Sequence, residues 1–530
     1  MSQTPLDVIV VGAGANGLVA ALKLARAGRR VLLLDGTEST GGQAQLLEFA
    51  PGFSAAPLGL DPGWLPSRIA AALDASGLEP VSTDTPLTVA AGPGEFLTLS
   101  RDAGQAAAAI AVHSKSDAAK WPSFTAQLHR LAGFLEVLYQ RPAPDVDVSS
   151  LRDLLPLLEL GRKFRALGRR DMIEFLRTLP LSAWELLDDW FECGPLKAGV
   201  AAGGVQDLRQ GPRSGGTGFV LLHHLVGAPP GSVRGRVPRR GGPAAFTLAA
   251  ESAARRQGVT IRTSAKVTQV RVKEGAVTGV VLAGGEEIAV ESVLSTTDPA
   301  RTFLEWIDPV WLDPEFVRAV GNIRHRGCTA FVLYALDALP DLPGLGSPVA
   351  LAGVVSLTGD LVALERAADA AKYGAVPERP HVELTVPTLL WPSLAPPGRH
   401  VLVARVHYAP YRLQEGALWD AARRDALAET VTAAIEAVAP AIRSRIVHRS
   451  ALSPQDLEQR FGLREGASSQ GELALDQILF MRPVAGLARH ATPIEGLYVG
   501  GAGTHPGPGI LGGAGWLAAE RLLAQRRIAR

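Results

Sequence analysis

The stretch VIVVGAGANGL, Val8 to Leu18, limits what this chain can fold into more than any other. Leu6–Val11 is a short apolar run rich in β-branched residues, the pattern of a parallel strand buried on both faces. It passes directly into glycines at 12, 14 and 17. Gly12 permits a tight turn, Gly14 lets the backbone approach a pyrophosphate, and Gly17 lets the next helix pack close to the strand. That helix, Gly17–Ala27, places Leu18, Ala21, Leu22 and Ala25 on one face and stops at Gly28. Its N-terminus offers unpaired N–H groups and a partial positive charge to a diphosphate. A second strand, Arg30–Leu34, ends on Asp35. This acid lies about 20 residues past the glycines, where a carboxylate binds ribose hydroxyls.

After Asp35 the chain reads Gly36 to Thr40 and then Gly41-Gly42-Gln43. An acid, five residues and a glycine pair resembles the extended fingerprint of the FAD-dependent amine oxidase and phytoene desaturase superfamily. No second strand–GxGxxG–helix unit follows, so the sequence holds no recognisable NAD(P) module. Near the far end, Leu497–Val499 reads as a strand. The loop GGAGTHPGPGILGGAG (Gly500–Gly515) and a helix to about Leu523 follow it. A glycine loop feeding a helix N-terminus suits an electron-rich acceptor such as a flavin carbonyl.

Longer blocks carry the resemblance further. DDWFECGPLKAG (Asp188–Gly199), GFVLLHHLVG (Gly218–Gly227), LDQILFMRPV (Leu475–Val484) and LYVGGAGTHPG (Leu497–Gly507) look like those of phytoene-desaturase-related flavoproteins. Within them, the pyridine nucleotide-disulfide oxidoreductase domain-containing type is the nearest match, with flavin-type carotenoid ketolases close by. The resemblance covers nearly the whole chain. It implies bound FAD, an interrupted Rossmann-like domain and a long lipophilic substrate. It assigns the cofactor to Gly12, Gly14, Ala15, Asn16, Gly17, Asp35, Gly36, Gly41, Gly42, Gln43, Val267, Thr296, Gly501, Gly503, Thr504, Gly509 and Ile510. Two departures stand out. Arg240-Gly241-Gly242-Pro243 replaces a Gly-Gly-Met turn, and Pro243 suits a first helical turn. Ser469-Gln470-Gly471-Glu472 stands where relatives have Phe-His-Gly-Glu, so no proton-transfer role carries over from that histidine.

The expected fold is α/β: an interrupted Rossmann-like FAD domain (1–100, 238–305 and 485–530), a helical insertion (101–237) and a mixed-sheet substrate domain (306–484). Pro122, Pro142, Pro156 and Pro180 read as breaks in the insertion. Residues 243–257 read as an amphipathic helix before a strand meander, and Ser295–Pro299 as a return to the first sheet. In the larger sheet, Ala330–Ala335, His381–Val386 and His400–His407 read as strands, and Leu418–Val438 as a helix.

Composition narrows the function classes. A formal charge of +1 over 530 residues gives no reason to expect a nucleic-acid partner. The two cysteines, Cys193 and Cys328, form no CxxC pair, so no disulfide framework, zinc site or dithiol redox motif is read. Neither a signal peptide nor an apolar run of about 18 residues is visible, and a cytoplasmic setting is expected. Leu151–Arg170 combines Leu154, Leu155, Leu158 and Leu167 with Arg162, Lys163, Arg165, Arg169 and Arg170, a pattern for peripheral membrane contact or the cover of a lipophilic entrance.

His505, in the C-terminal loop, is the candidate residue beside the isoalloxazine; Glu472 and Arg482 are secondary candidates. His223-His224 reads as a core or cavity-lining pair and Trp184, Trp190 and Phe191 as core; no metal site is expected. The leading expectation is hydride transfer from a conjugated or isoprenoid molecule to flavin N5, with oxygen, a quinone or another acceptor restoring the flavin. An amine oxidase is the second reading, weakened because such enzymes often hold a lysine near N5 and no lysine stands in these motifs. A non-catalytic prenyl-binding protein of the same fold is the third.

Overall fold

A computed structural model describes residues 6–528 except 75, 76, 82, 85, 145–150, 236 and 358. Its first unit is a five-stranded sheet in the order Leu497–Val499, Val293–Ser295, Val8–Val11, Val31–Leu34, Thr260–Arg262. Every pairing in it is parallel. The chain leaves Val8–Val11 toward Val31–Leu34 on one side and later returns to its other side at Val293–Ser295. The order therefore reverses at the first strand, where open parallel sheets bind ligands beyond their carboxyl ends. The glycine turn lies at that point.

The helix Ala15–Arg26 begins two residues before the expected Gly17 and buries Leu18, Val19, Ala21 and Leu22. The expected helix at 243–257 spans Ala245–Arg256; Pro243, expected in its first turn, precedes it. Both helices share a core with the first strands and the C-terminal helix Gly513–Ile528. Most of the expected meander forms a separate three-stranded antiparallel sheet, Val267–Lys273, Ala276–Leu282 and Glu287–Ala289.

The larger sheet has seven strands, and its outer two come from the N-terminal part of the chain. Leu87–Gly92 pairs in parallel with Val354–Ser356, and Glu95–Leu99 forms the edge. The first 100 residues are thus divided among three sheets, Leu47–Ala50 and Phe53–Ala55 forming a two-stranded one of their own, rather than lying wholly in the cofactor unit as expected. Thr329–Leu336, His381–Thr385 and His400–His407 lie where strands were read, and the helix Ala421–Glu436 covers their outer face.

The insertion is helical, as read, but two of its prolines do not break helices. Lys115–Tyr139 runs through Pro122, and Leu151–Ala166 runs through position 156. Around Pro122, burial of Trp121, Phe124 and Leu128 with Phe191 in one aromatic core outweighs the lost backbone bond. Leu160, Phe164 and Leu167 pack inward, whereas Leu155 and Leu158 are exposed.

Gly17 is the tightest point of the first turn: a Cβ there would lie 1.7 Å from the Gly12 carbonyl oxygen. Gly17→Ala is expected to cost about 1–3 kcal/mol or more, as overpacking does. It should lower the apparent Tm and the bound flavin together. Gly161→Ala, a helical glycine with open space around it, is expected to leave both unchanged or raise Tm slightly.

Candidate functional site

A cavity of about 620 Å3 opens at the carboxyl ends of the parallel strands, within the range of cofactor sites. At its base, the Thr296 backbone N–H and Oγ1–H both donate to the Val11 carbonyl at 2.9 Å, tying the first strand to its neighbour. Gly12, with φ of 100°, turns the chain out of the strand. The helix that follows has no side-chain cap and no acid in its first turn, so its leading N–H groups and partial positive charge face the cavity uncompensated.

Asp35 organises this turn as well as lining the cavity. Its Oδ2 accepts from the Ala13 N–H at 2.6 Å, and its Oδ1 accepts from the Thr37 N–H at 2.8 Å. The second glycine loop lies against the first, with the Gly41 N–H donating to the Ala13 carbonyl at 2.9 Å. A Cβ on Gly42 would sit 3.1 Å from the Gly14 Cα. Two bare backbones therefore pack against each other along one wall, too close for a side chain at Gly42.

The C-terminal loop closes the opposite wall. The Trp64 N–H donates to the Gly509 carbonyl and the Leu511 N–H to the Trp64 carbonyl, each at 2.8 Å. The helix Gly513–Ile528 runs beside the first helix, the Gly515 N–H reaching Asn16 Oδ1 at 3.3 Å and Lys23 pairing with Glu520 at 2.6 Å. Gln470 bridges the walls: its Nε2–H donates to the Thr296 carbonyl at 3.2 Å, and its Oε1 accepts from the Gly503 N–H at 3.0 Å.

The cavity brings together Gly12, Gly14, Ala15, Asn16, Asp35, Gly36, Gly41, Gly42, Gln43, Val267, Thr296, Gly509 and Ile510. Gly17, Gly501, Gly503, Thr504 and His505 are not among its lining residues, which corrects the sequence reading. Gly17 lies behind the turn. Gly501 packs on Thr296, where a Cβ would sit 2.5 Å from the carbonyl oxygen, and Gly503 packs on Pro299. Thr504 is buried with its Oγ1–H donating to the Gly501 carbonyl at 2.8 Å.

His505 is turned inward. Its Nε2 lies 2.9 Å from the Arg141 carbonyl and its ring meets Tyr139 edge-on. Burial pushes its pKa down to about 4, so it is neutral at pH 7. Glu472 is also away from the cavity, held by Arg326 and Arg324. Arg482 is buried and donates to five backbone carbonyls, of Ser469, Gly471, Glu472, Gln477 and Ala502. It fixes the 469–477 segment against the C-terminal loop. His223 joins the helical layer to that loop, with Nδ1 2.7 Å from the Tyr139 hydroxyl and Nε2 2.9 Å from the Pro508 carbonyl.

Sequence reasoning missed the far wall: Asp61, Asp207, Arg405 and Gln470. Residue spacing gives no signal for them, because three different layers supply them. Nearby, His381, Glu383 and His407 are buried and close enough to hold a metal. Arg234 pairs with Glu383 instead. Burial would raise the Glu383 pKa, but Arg234 and hydrogen bonds from both histidines hold it well below the usual range. A guanidinium already neutralises this carboxylate, so the cluster is an ion-pair network.

An FAD binding domain model matches residues 7–73. Over 97% of this chain and 92% of its own length, rat pyridine nucleotide-disulfide oxidoreductase domain-containing protein 2 is 34% identical. The chain belongs to that family. Phytoene desaturase of Fusarium fujikuroi is 23% identical over 96% of this chain and 87% of its own. In fold, the chain resembles a solved putrescine oxidase bound to putrescine, with a TM-score of 0.56, 16% identity and coverage of 99% and 100%. The protein is an FAD-dependent oxidoreductase.

The residues present fit that cofactor. The uncapped helix end suits a diphosphate, and the cavity of about 620 Å3 beside it has room for the ring systems. Asp35 has lone pairs beyond the two backbone bonds it accepts. Asp35→Ala is expected to lower FAD affinity by about one to two decades, for a charge-assisted bond of about 1.5–3 kcal/mol. Tm should fall too, because the Ala13 and Thr37 N–H groups lose their acceptor. Flavin retained in stoichiometric amount through extensive dialysis would contradict the placement.

Proposed function

We propose that the protein removes hydride from a C–H bond of an unsaturated, largely apolar molecule of isoprenoid or conjugated type. Desaturation completes this step by loss of a neighbouring proton. Ketolation and redox-linked ring closure complete it by attack of a nucleophile on the oxidised carbon, and a redox-neutral isomerisation by return of the hydride. The full-length likeness to a phytoene desaturase supports the substrate class. The observation that carries the reading is the leucine wall at the Gln43–Gly509 end, where Leu58, Leu208 and Leu473 face Asp61, Asp207, Arg405 and His224. Burial pushes the His224 pKa down to about 4, leaving the ring neutral at pH 7.

In this reading Asp35 holds the ribose hydroxyls, the N-terminus of Ala15–Arg26 the diphosphate, and the Val267 backbone faces the adenine. Gln43, Thr296, Gly509 and Ile510 surround the isoalloxazine. Bound FAD supplies the two-electron acceptor, with N5 as the hydride-accepting atom, and oxygen, a quinone or another acceptor restores it. The chain's own part is to orient the reacting carbon and exclude water. Leu58, Leu208 and Leu473 supply that enclosure.

A second reading, amine oxidation, draws on the carboxylates Asp61 and Asp207 near the same end. Anaerobic mixing of the FAD-loaded protein with a polyene, a monocyclic terpene and benzylamine separates the two. Loss of the flavin absorbance near about 450 nm is expected with the unsaturated hydrocarbons. Bleaching by the amine alone would overturn the first reading.

A peripheral membrane contact accords with an apolar substrate. Exposed Leu155 and Leu158 lie on the helix that carries exposed Arg162 and Arg165, and exposed Arg169 and Arg170 open the next helix, a combination suited to anionic lipid. Among the described residues no helix is long and apolar enough to cross a membrane. Flotation with phosphatidylserine liposomes is expected at low salt and should weaken in Leu155→Ser/Leu158→Ser. No flotation at low salt would remove the contact.

A further inference from the structure

The segment Gly507-Pro508-Gly509 carries no regular secondary structure, so individual hydrogen bonds decide where it lies. It lines the main cavity, and Pro508 and Gly509 also line a compartment of about 90 Å3 that opens beyond them toward Asp207, Arg405 and His224. Both glycines have positive φ, 108° and 72°, and the proline between them has no N–H to give. Two carbonyls hold the segment. That of Gly509 accepts from the Trp64 N–H at 2.8 Å, and that of Pro508 meets the His223 imidazole at 2.9 Å. Among the described residues, the N–H groups of Gly507 and Gly509 donate to no protein acceptor.

The chemistry of the partners fixes the direction of each bond. A carbonyl only accepts, so His223 Nε2 carries the proton and donates to Pro508. In the neutral ring Nδ1 is then an acceptor, and the Tyr139 hydroxyl, 2.7 Å away, donates to it. Burial holds the His223 pKa well below the usual histidine range and pushes that of Tyr139 upward, so both keep these protonation states at neutral pH. The two side chains are buried and belong to different helices of the insertion, Lys115–Tyr139 and Thr217–His224. The imidazole also packs on the segment, since a Cβ at Gly507 would lie 3.3 Å from its Cε1. The Pro508–Gly509 peptide is trans, which points its C=O and N–H in opposite directions. With the carbonyl held against the helical layer, the Gly509 N–H turns away from that layer, at a residue that lines the cavity.

We propose, resting on the placement of the isoalloxazine at the Gln43–Gly509 end, that Tyr139 and His223 are positioning residues for the flavin. Their chain of hydrogen bonds aims the Gly509 N–H at the electron-rich edge of the ring. A bond received at the Pro508 carbonyl also polarises that peptide, which strengthens its N–H as a donor. A donor fixed in this way favours the negative charge that reduction adds to the ring. The helical insertion, through two buried side chains, thereby helps to set how readily the flavin is reduced.

Two measurements test it, and neither needs a substrate. Amide hydrogen exchange in a peptide covering residues 507–511 should slow severalfold when FAD is loaded. In His223→Leu the equilibrium constant for two-electron reduction of the bound flavin should fall about tenfold, a potential lower by about 30 mV. Tyr139→Phe, which removes one hydroxyl and keeps the ring, should lower the constant severalfold, and it tests the chain even where His223→Leu does not fold. His223→Gln, whose amide can still donate to Pro508, should recover most of the lost potential. Circular dichroism and Tm establish that each variant compared is folded. Exchange slowed by FAD with the potential unmoved in the folded variants would overturn the proposal and keep the placement of the ring. A shift that His223→Gln does not recover marks a packing role and would overturn it as well. Exchange untouched by FAD would overturn both the proposal and the placement. The dehydrogenase reading is judged separately, by bleaching with the unsaturated hydrocarbons.

Discussion

The hold of Thr296 on the first glycine turn is the interaction on which the rest of the structure depends. Its N–H and hydroxyl both reach the Val11 carbonyl, and the hydroxyl lies 3.1 Å from the Gly12 carbonyl as well. A strand separated from the first by about 280 residues of chain is thereby locked beside it at the point where strand order reverses. The same turn sets the entry of Ala15–Arg26, whose close approach leaves no room for a side chain at Gly17. The C-terminal strand and helix complete that unit, because Gly500 donates to the Ser295 carbonyl at 2.8 Å. The two ends of the chain therefore close on the same turn that faces the cavity.

The opposite wall is organised by buried charge. Arg482 has no carboxylate among its hydrogen-bond partners; five carbonyl oxygens take up its donors. Burial lowers its pKa to about 10, which still leaves it charged at neutral pH. Charge-assisted bonds to backbone are stronger than neutral ones, so one side chain can fix an irregular segment that lacks regular secondary structure. On the large sheet the two-residue period turns Leu402, Ala404 and Val406 toward one core and Val401 and Val403 toward another. Arg405 and His407 fall on the second face, where Glu383 opposes Arg405 and His381 opposes His407 across the strands. A polar band thus crosses an otherwise apolar face just where it meets the cofactor unit.

Much of the cofactor unit was legible in the sequence because its constraints are local. Strand, glycine turn, helix, strand and acid follow one another within 30 residues, and each has its own steric or electrostatic signature. Asp35, the Gly41–Gly42 pair and the parallel return near Thr296 lie where those signatures put them. The C-terminal loop was legible only in part. A glycine can serve a ligand or a neighbouring backbone, and sequence does not distinguish the two. Gly509 faces the cavity, while Gly501 and Gly503 make room for Thr296 and Pro299. For the same reason His505 reads as a site residue in a list and is a core residue in space.

What the sequence by itself determined is the class of the protein: a dinucleotide fold with a second glycine loop, matched along its length to flavin-dependent relatives. The tertiary structure alone decided what stands opposite the cofactor. Asp61, Asp207, His224, Arg405 and Ser469 share no motif and no period, and some lie more than 200 residues apart. They meet because the helical insertion, the large sheet and the N-terminal region pack around one strand end. Side-chain period and turn chemistry act over a few residues, so they are written locally. Burial of charge is settled only when distant layers close on one another, and that closure makes the polar compartment.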